Sequence, residues 1–316
     1  MKTGFSGPAS GAPGQSGRRP LLTTLFISPA EARLRAGWRL AIQIVVQLVL
    51  TACAGLALIS ALRGALTGNP YSLRGSQILL TEIGGLFAIT ISVVAARRFL
   101  DHRTFSSIGL QTGHRALRDF AAGLAITFVM MGLVFILELA FGWLRVKGFA
   151  WESQATIDVA QRTGLFLLIC LIVGWNEELM SRGYHLQTLA SGLTIGWGWF
   201  LSSLVFGVLH LANPHASGMA VAGIILAGIF LGYAFIRTDQ LWLSVGLHAG
   251  WNFFEGVVFG FPVSGFAFYR LPQTVISGPD LWTGGAFGPE AGVLLIPALA
   301  LGFIFVHIYT RGRRSA

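Results

Sequence analysis

The chain has 316 residues, of which 54% are hydrophobic and 11% are charged, and its net charge is +9. Soluble domains carry about 25% charged residues, so the composition argues against a large soluble fold and favours a polytopic membrane protein. The positive charge does not indicate nucleic-acid binding, because the basic residues gather at the ends of apolar segments instead of forming a patch interleaved with aromatic residues.

The N-terminal region differs from the rest of the chain. Residues 1–30 are rich in Gly, Pro and Ser and hold no long apolar stretch, which predicts a disordered tail without a signal peptide. The segment SPAEARLRAGWRL, residues 28–40, predicts a basic interfacial helix that leads into the first span. We therefore expect an N-terminal segment over 1–36, a membrane domain over 37–311 and a basic tail over 312–316.

Apolar segments long enough to cross a bilayer, which takes about 20 residues, fill the membrane domain. We expect eight spans, of which the second and third carry Glu82 and Glu138. They lie between Arg39 and Arg63, within 77–96, from Phe120 to Leu144, from near Thr163, in the two halves of Gly183–Ile236 that NPHASG separates, from Leu241, and over Ala291–Thr310. The sequence thus predicts an all-α protein with about eight transmembrane helices around a polar intramembrane cavity.

Lysine and arginine in the loops predict the orientation of these spans. With the N-terminus inside, 15 basic residues lie on the inner side and six on the outer side. We therefore expect a multi-pass protein of the bacterial inner membrane with both termini in the cytoplasm.

Three predicted spans carry polar residues that are costly in a membrane, which makes them functional candidates. The clusters are Glu177, Glu178 and Arg182 in the fourth span, Phe206 and His210 in the fifth, and His248 and Asn252 in the seventh. Glu178 precedes Arg182 by four residues, the favourable order for a helical ion pair. Glu177 is rotated about 100° away from it and stays available. A free glutamate and a histidine from another helix can share a water, while a second histidine and an amide can donate to an oxyanion.

These segments carry a family resemblance. EELMSRGY, FGVLH and HAGWN resemble the EExxxR, FxxxH and HxxxN motifs of the CAAX-processing and bacteriocin-processing intramembrane proteases (the CPBP or Abi family), which includes the Ras-converting endopeptidase. The resemblance is sharpest over 174–254. It implies that Glu177 activates a water with help from His210, and that His248 and Asn252 hold the carbonyl oxygen. Glu178, Arg182 and Phe206 would support them. Ser181 departs from the family, which usually has phenylalanine there.

The chemistry leaves two alternatives open. Glu177, His210 and His248 could instead bind Zn²⁺, but the chain has no HExxH motif and Asn252 is a better hydrogen-bond donor than a zinc ligand. We therefore favour a mechanism that needs no cofactor. The competing functions are a transporter, for which no internal repeat is visible, and a catalytically silent immunity or scaffold protein of the same fold.

Further expectations concern the binding partners of the protein and how deep the site residues lie in the membrane. We expect a membrane-associated peptide or protein as the substrate and the lipid bilayer as the surroundings, while the substrate's identity, its prenylation and the oligomeric state stay open. His185, Glu82, Glu138 and Glu255 are interpreted as structural groups. At a rise of 1.5 Å per residue, Glu177 and His210 lie about 21 and 28 Å from the loop near Ser191, whereas His248 lies only about 10 Å into its span.

Overall fold

The computed structural model describes residues 25–29, 31–63 and 70–313, with no description of the side chains of residues 60–63 and 70–74. Residues 1–24 and 314–316, which include most of the predicted tail, lie outside the described residues. The described chain is nearly all α. Its helices are α1 Ala36–Arg63, α2 Pro70–Ala95, α3 His114–Ala140, α4 Thr156–Glu178, α5 Gln187–Gly192, α6 Ile195–Leu209, α7 Gly218–Thr238, α8 Leu241–Phe253, α9 Asp280–Thr283 and α10 Leu295–Tyr309.

Short irregular helices extend several of these elements. Wider π turns continue α2 over Ala96–Leu100, connect α4 to α5 over Leu179–Leu186, and continue α8 over Phe254–Val258. Strands β1 Leu144–Phe149 and β2 Pro272–Ile276 pair as an antiparallel ribbon. The π turn after α4 begins directly after the two glutamates, and such turns occur frequently at functional sites.

Six described helices are long and apolar enough to cross a membrane, counted up to their irregular extensions. They confirm the polytopic all-α fold and correspond to the first six predicted spans. The predicted seventh and eighth spans are the shorter helices α8, with 13 residues, and α10, with 15 residues. Helix α4 begins at Thr156 instead of near Thr163, because the polar turn with Asp158 and Arg162 is helical too.

Helix α8 lies at the centre of the protein. Eleven of its 13 residues are buried, so its surroundings are mainly other helices. Glycines bring the neighbours close: a Cβ on Gly246 would lie 2.3 Å from the carbonyl oxygen of Phe120 in α3. A Cβ on Gly174 of α4 would lie 2.9 Å from the backbone nitrogen of Ala249. The backbones of α3 and α4 therefore pack directly on α8, as is typical of small residues between membrane helices.

The same packing resolves the depth of His248. A Cβ on Gly183 would lie 3.3 Å from Leu241 Cδ1, so α8 begins at the level of Gly183. From that level, Glu177 is six residues back and His248 is seven residues on, or about 9 and 10 Å at 1.5 Å per residue. The assumption that all spans start from one common level was wrong, because the C-terminal part of the α4–α5 helix extends past the start of α8.

The segment before α1 also differs from the prediction. Residues 31–35 form no helix; Ile27 pairs with Leu34 in an isolated β-bridge, and helix α1 begins at Ala36. Arg39, only 1% exposed, forms an ion pair with buried Asp101 and lies 3.0 Å from Glu31. The predicted helix is therefore wrong for residues 31–35 and correct for 36–40, which begin α1, and the charges of Arg33 and Arg39 are neutralised by carboxylates within the protein.

Candidate active site

Three helices bring one glutamate and two histidines together. Glu177 comes from the last turn of α4, His210 from the 3-10 turn His210–Ala212 that ends α6, and His248 from the middle of α8. Glu177 Oε2 lies 3.9 Å from His210 Nε2 and 3.7 Å from His248 Nε2. This oxygen is buried and has no hydrogen-bond partner in the described parts of the chain. The distances exceed a direct hydrogen bond and suit atoms bridged by a small polar molecule.

The neighbouring glutamate, Glu178, accepts direct hydrogen bonds from two side chains. Glu178 is fully buried, and its Oε1 accepts hydrogen bonds from Arg182 Nη1 at 2.5 Å and His248 Nδ1 at 2.8 Å. This is the ion pair that the spacing predicts. Arg182 also donates from Nη2 to the carbonyl of Gly228 at 2.9 Å, and its guanidinium lies 4.5 Å from the ring centre of Phe206. Through Oε1, Glu178 therefore orients Arg182 and His248, while its Oε2 has no hydrogen-bond partner within the described residues.

The end of α6 orients His210. Its backbone N–H donates to the carbonyls of Gly207 and Val208, so the carbonyl of Phe206 is left to accept from His210 Nδ1, at 2.8 Å. A carbonyl only accepts, so Nδ1 carries the proton, and Nε2 is an acceptor in the neutral imidazole. The Phe206 ring packs 4.8 Å from the imidazole ring. The unprotonated nitrogen therefore faces Glu177.

A small cavity opens beside His210 and His248, and Glu177 is not among the residues that line it. Its volume is about 30 Å³, and its polar and aromatic lining includes Phe206, His210, His248, Asn252, Ser264 and Glu290. One water needs about 10–15 Å³ on this measure, so the cavity has room for one or two. Asn252, one helical turn after His248, is 8% exposed, and its amide makes no hydrogen bond within the described residues. That amide is available to a ligand in the cavity.

Two of the lining residues, Ser264 and Glu290, were not expected from the sequence. Glu290 lies in the 3-10 turn Pro289–Ala291, just before the predicted last span. Its Oε2 accepts from the backbone N–H of Ser264 and its Oε1 from the Ser264 hydroxyl, both at 2.8 Å. Burial raises the pKa of Glu290, and the two donors of Ser264 oppose that shift only in part. The one available signal was an acidic residue beside a long apolar run.

The residues interpreted as structural have other surroundings. Asn176 donates to Glu82 Oε2 at 3.4 Å, which links α4 to α2. His185 Nε2 lies 3.1 Å from Gln43 Oε1 of α1. Glu138 is fully buried on α3, and neither of its oxygens has a partner within the described chain. Two of this set interact with the candidate site: the charge of Glu82 interacts with that of Glu177, and fully buried Glu255 interacts with Glu290 of the cavity lining.

The donor types at the site, two imidazoles and one carboxylate, are those of a zinc centre. Zinc ligands at about 2.0–2.2 Å from the metal lie about 3.4 Å apart in a tetrahedral site. Glu177 Oε2 is farther than that from both imidazole nitrogens, at 3.9 and 3.7 Å. Among the described residues, no group of three His, Cys, Asp or Glu side chains is placed to hold a metal ion. The three side chains are thus not arranged as zinc ligands in this structure, and we derive no step through a metal.

Comparison with known proteins supports the resemblance that the motifs indicated. Residues 160–254 match the family model described as type II CAAX prenyl endopeptidase Rce1-like. That segment contains Glu177, Glu178, His210, His248 and Asn252. No curated protein matches the chain at a significant level.

Proposed function

We propose, from the match of residues 160–254 to the Rce1-like CAAX endopeptidase family model, that the chain hydrolyses a peptide bond near a membrane-attached segment. The observation that carries the proposal is the position of Glu177 Oε2, buried and unpartnered within the described residues, 3.9 and 3.7 Å from two imidazole nitrogens. A carboxylate oxygen in a membrane domain without a direct partner has a structural cost, and catalysis gives a reason to keep it.

Glu177 acts as the general base and His210 assists it. A water bound between Glu177 Oε2 and His210 Nε2 donates one hydrogen bond to each acceptor, which turns its oxygen lone pair toward the substrate carbonyl. As that oxygen attacks, Glu177 takes the proton and later passes it to the leaving amine. The bond from His210 Nδ1 to the Phe206 carbonyl keeps Nε2 in its accepting form.

His248 and Asn252 stabilise the oxyanion. Glu178 accepts from His248 Nδ1 at 2.8 Å, and its negative charge favours the imidazolium form, in which Nε2–H can donate. The amide of Asn252, one turn further along α8, adds a second donor from the same helix face. Arg182 and Glu178 form a neutral pair, which lowers the cost of placing their two charges in a membrane.

The substrate class follows from the family and the surroundings. The matching family model is that of a CAAX prenyl endopeptidase, and two of the three helices that carry the candidate site, α4 and α6, are long enough to span a bilayer. We therefore propose a membrane-associated peptide or protein as substrate, either a CAAX-type prenylated protein or a bacterial membrane-attached peptide. The proposal includes a location in a bacterial inner membrane, with both termini in the cytoplasm.

The test is cleavage of a quenched fluorescent peptide by the purified protein in liposomes. Two versions of the peptide carry a farnesylated cysteine or an apolar helical anchor. We expect one of them to be cleaved, with Glu177→Gln and His210→Ala reducing turnover at least about 100-fold. Glu82→Gln is the matched control, because it removes a nearby half-buried acid that the mechanism does not use, and it should reduce turnover only in part. Parental activity in Glu177→Gln would remove that residue from the mechanism.

A separate measurement addresses the metal. Hydrolysis through Glu177 and His210 predicts that turnover persists in the presence of a strong chelator. Elemental analysis of the same active sample should give less than one zinc per ten chains. Loss of activity with the chelator, restored by added Zn²⁺, would replace this mechanism by one in which Glu177, His210 and His248 bind the metal.

A further inference from the structure

A tight turn forms one wall of the catalytic cavity. Val263 and Phe266 exchange backbone hydrogen bonds of 2.9 and 2.8 Å, with Ser264 and Gly265 between them. Both central residues have positive φ, 46° and 86°, which is the geometry of a type I′ turn. Ser264, at the first central position, has a backbone conformation that is strained for serine and would not be strained for glycine. The side chain at this position lines the cavity with His210 and Asn252.

Glu290 is the main support of this turn. Both of its carboxylate oxygens are used on Ser264, one by the backbone N–H and one by the hydroxyl, each at 2.8 Å. Glu290 is itself only 2% exposed, so the contact is made inside the protein. It reaches across 26 residues of chain to connect the start of α10 to the cavity wall. A buried acid with two good donors holds its partner strongly.

Further contacts fix the turn from the side of His210. The Asn213 side-chain amide donates to the Ser264 carbonyl at 3.1 Å, and Gly265 N–H donates to the Phe287 carbonyl at 2.7 Å. A Cβ on Gly265 would lie 1.9 Å from the carbonyl oxygen of Pro214, so only glycine fits there. Asn213 and Pro214 directly follow the turn His210–Ala212. The wall is therefore attached to the same short segment that presents His210.

The small volume of the cavity limits the size of the substrate side chain that fits beside the turn. At about 30 Å³ the space between the turn, His210 and Asn252 holds one or two waters. Apolar residues such as Phe230 and Trp251 also line this space, and a substrate side chain that flanks the scissile carbonyl on the side of the turn lies against Ser264. A bulky side chain fits only if the turn moves, and the contacts to Glu290, Asn213 and Phe287 oppose that movement.

We propose that Glu290 is a positioning residue that fixes the Ser264–Gly265 turn as a wall of the active site, and that this wall selects small side chains beside the scissile bond. The selectivity part rests on the proposed peptidase function. Glu290 acts through the turn: both of its oxygens bind Ser264, and among the described residues it makes no hydrogen bond to Glu177 or His210. Its side chain also lines the cavity, and its charge interacts with that of His210.

The first experiment measures selectivity. Membrane-anchored peptides that differ only by Ala or Leu at either position flanking the cleaved bond are compared by kcat/KM. We expect the parent to prefer Ala at one of the two positions by at least about tenfold. Glu290→Gln, which keeps the size but replaces one acceptor by a donor, should reduce that preference at least threefold. Gly265→Ala, which pushes the turn off Pro214, should do the same by an independent route.

The second experiment measures the turn without relying on activity. In a Cys53→Ala background, which leaves only buried Cys170, Ser264→Cys reports access to a charged thiol reagent. We expect Glu290→Gln to increase the labelling rate at least tenfold. Glu138→Gln is the matched control for losing a buried acid, and it should change neither labelling nor selectivity.

The two readouts separate the possible failures. A parental labelling rate in Glu290→Gln overturns the positioning role, and an unchanged Ala-to-Leu preference in both variants overturns the selectivity. If the parent cleaves no peptide, the proposed function fails, while the labelling rate still decides whether Glu290 holds the turn.

Discussion

The two adjacent glutamates should respond in opposite ways to the same substitution. Glu177→Gln removes the general base, for which a loss of about 10²–10⁴ in kcat is expected, or about 3–5 kcal/mol. Its cost in folding stability should stay below about 1 kcal/mol, because Glu177 Oε2 makes no direct hydrogen bond within the described residues. Its nearest imidazole nitrogen is 3.7 Å away.

Glu178→Gln removes the charge from a fully buried carboxylate that accepts from Arg182 at 2.5 Å and from His248 at 2.8 Å. The guanidinium then has no anionic partner in a buried site, and breaking such a pair costs about 3–5 kcal/mol. This corresponds to a decrease of roughly 6–15 °C in the midpoint of thermal unfolding.

The assay records thermal unfolding in detergent and peptide turnover below the unfolding range for both variants. Glu177→Gln should keep the parental midpoint and lose turnover, whereas Glu178→Gln should lose both. Equal unfolding midpoints for the two variants would refute the assignment of different roles.

Three further outcomes are expected from the packing. Gly246→Ala should destabilise the protein by at least about 2 kcal/mol, because its Cβ would lie 2.3 Å from a backbone oxygen. Gly37→Ala, where nothing lies within 4 Å, is the matched control, and equal unfolding midpoints would contradict the central place of α8. Asn252→Ala should reduce kcat about 10²–10³-fold at an unchanged midpoint, and a parental kcat would exclude it from the oxyanion site. Asp101→Asn leaves a buried arginine without its full charge partner, and the segment over residues 31–35 should become sensitive to trypsin; resistance equal to the parent would disprove the ion-pair clamp.

The sequence by itself determined most of the helices and the local part of the site. Apolar runs set the positions of the spans, because a helix in lipid must be long and apolar. Glu178 and Arg182 pair as predicted, since residues four apart lie on one helix face. The same rule places Phe206 beside His210, with ring centres 4.8 Å apart. Contacts of this kind depend on the helical repeat alone.

Only the tertiary structure decided how the helices align in depth and what completes the cavity. Helix α8 starts at the level of Gly183 because glycines let it pack on its neighbours' backbones, and simple counting from the loops missed this offset. Glu290 reaches the cavity through a turn 26 residues before it in the chain. No periodic pattern encodes such contacts, because they depend on where separate chain segments meet after packing.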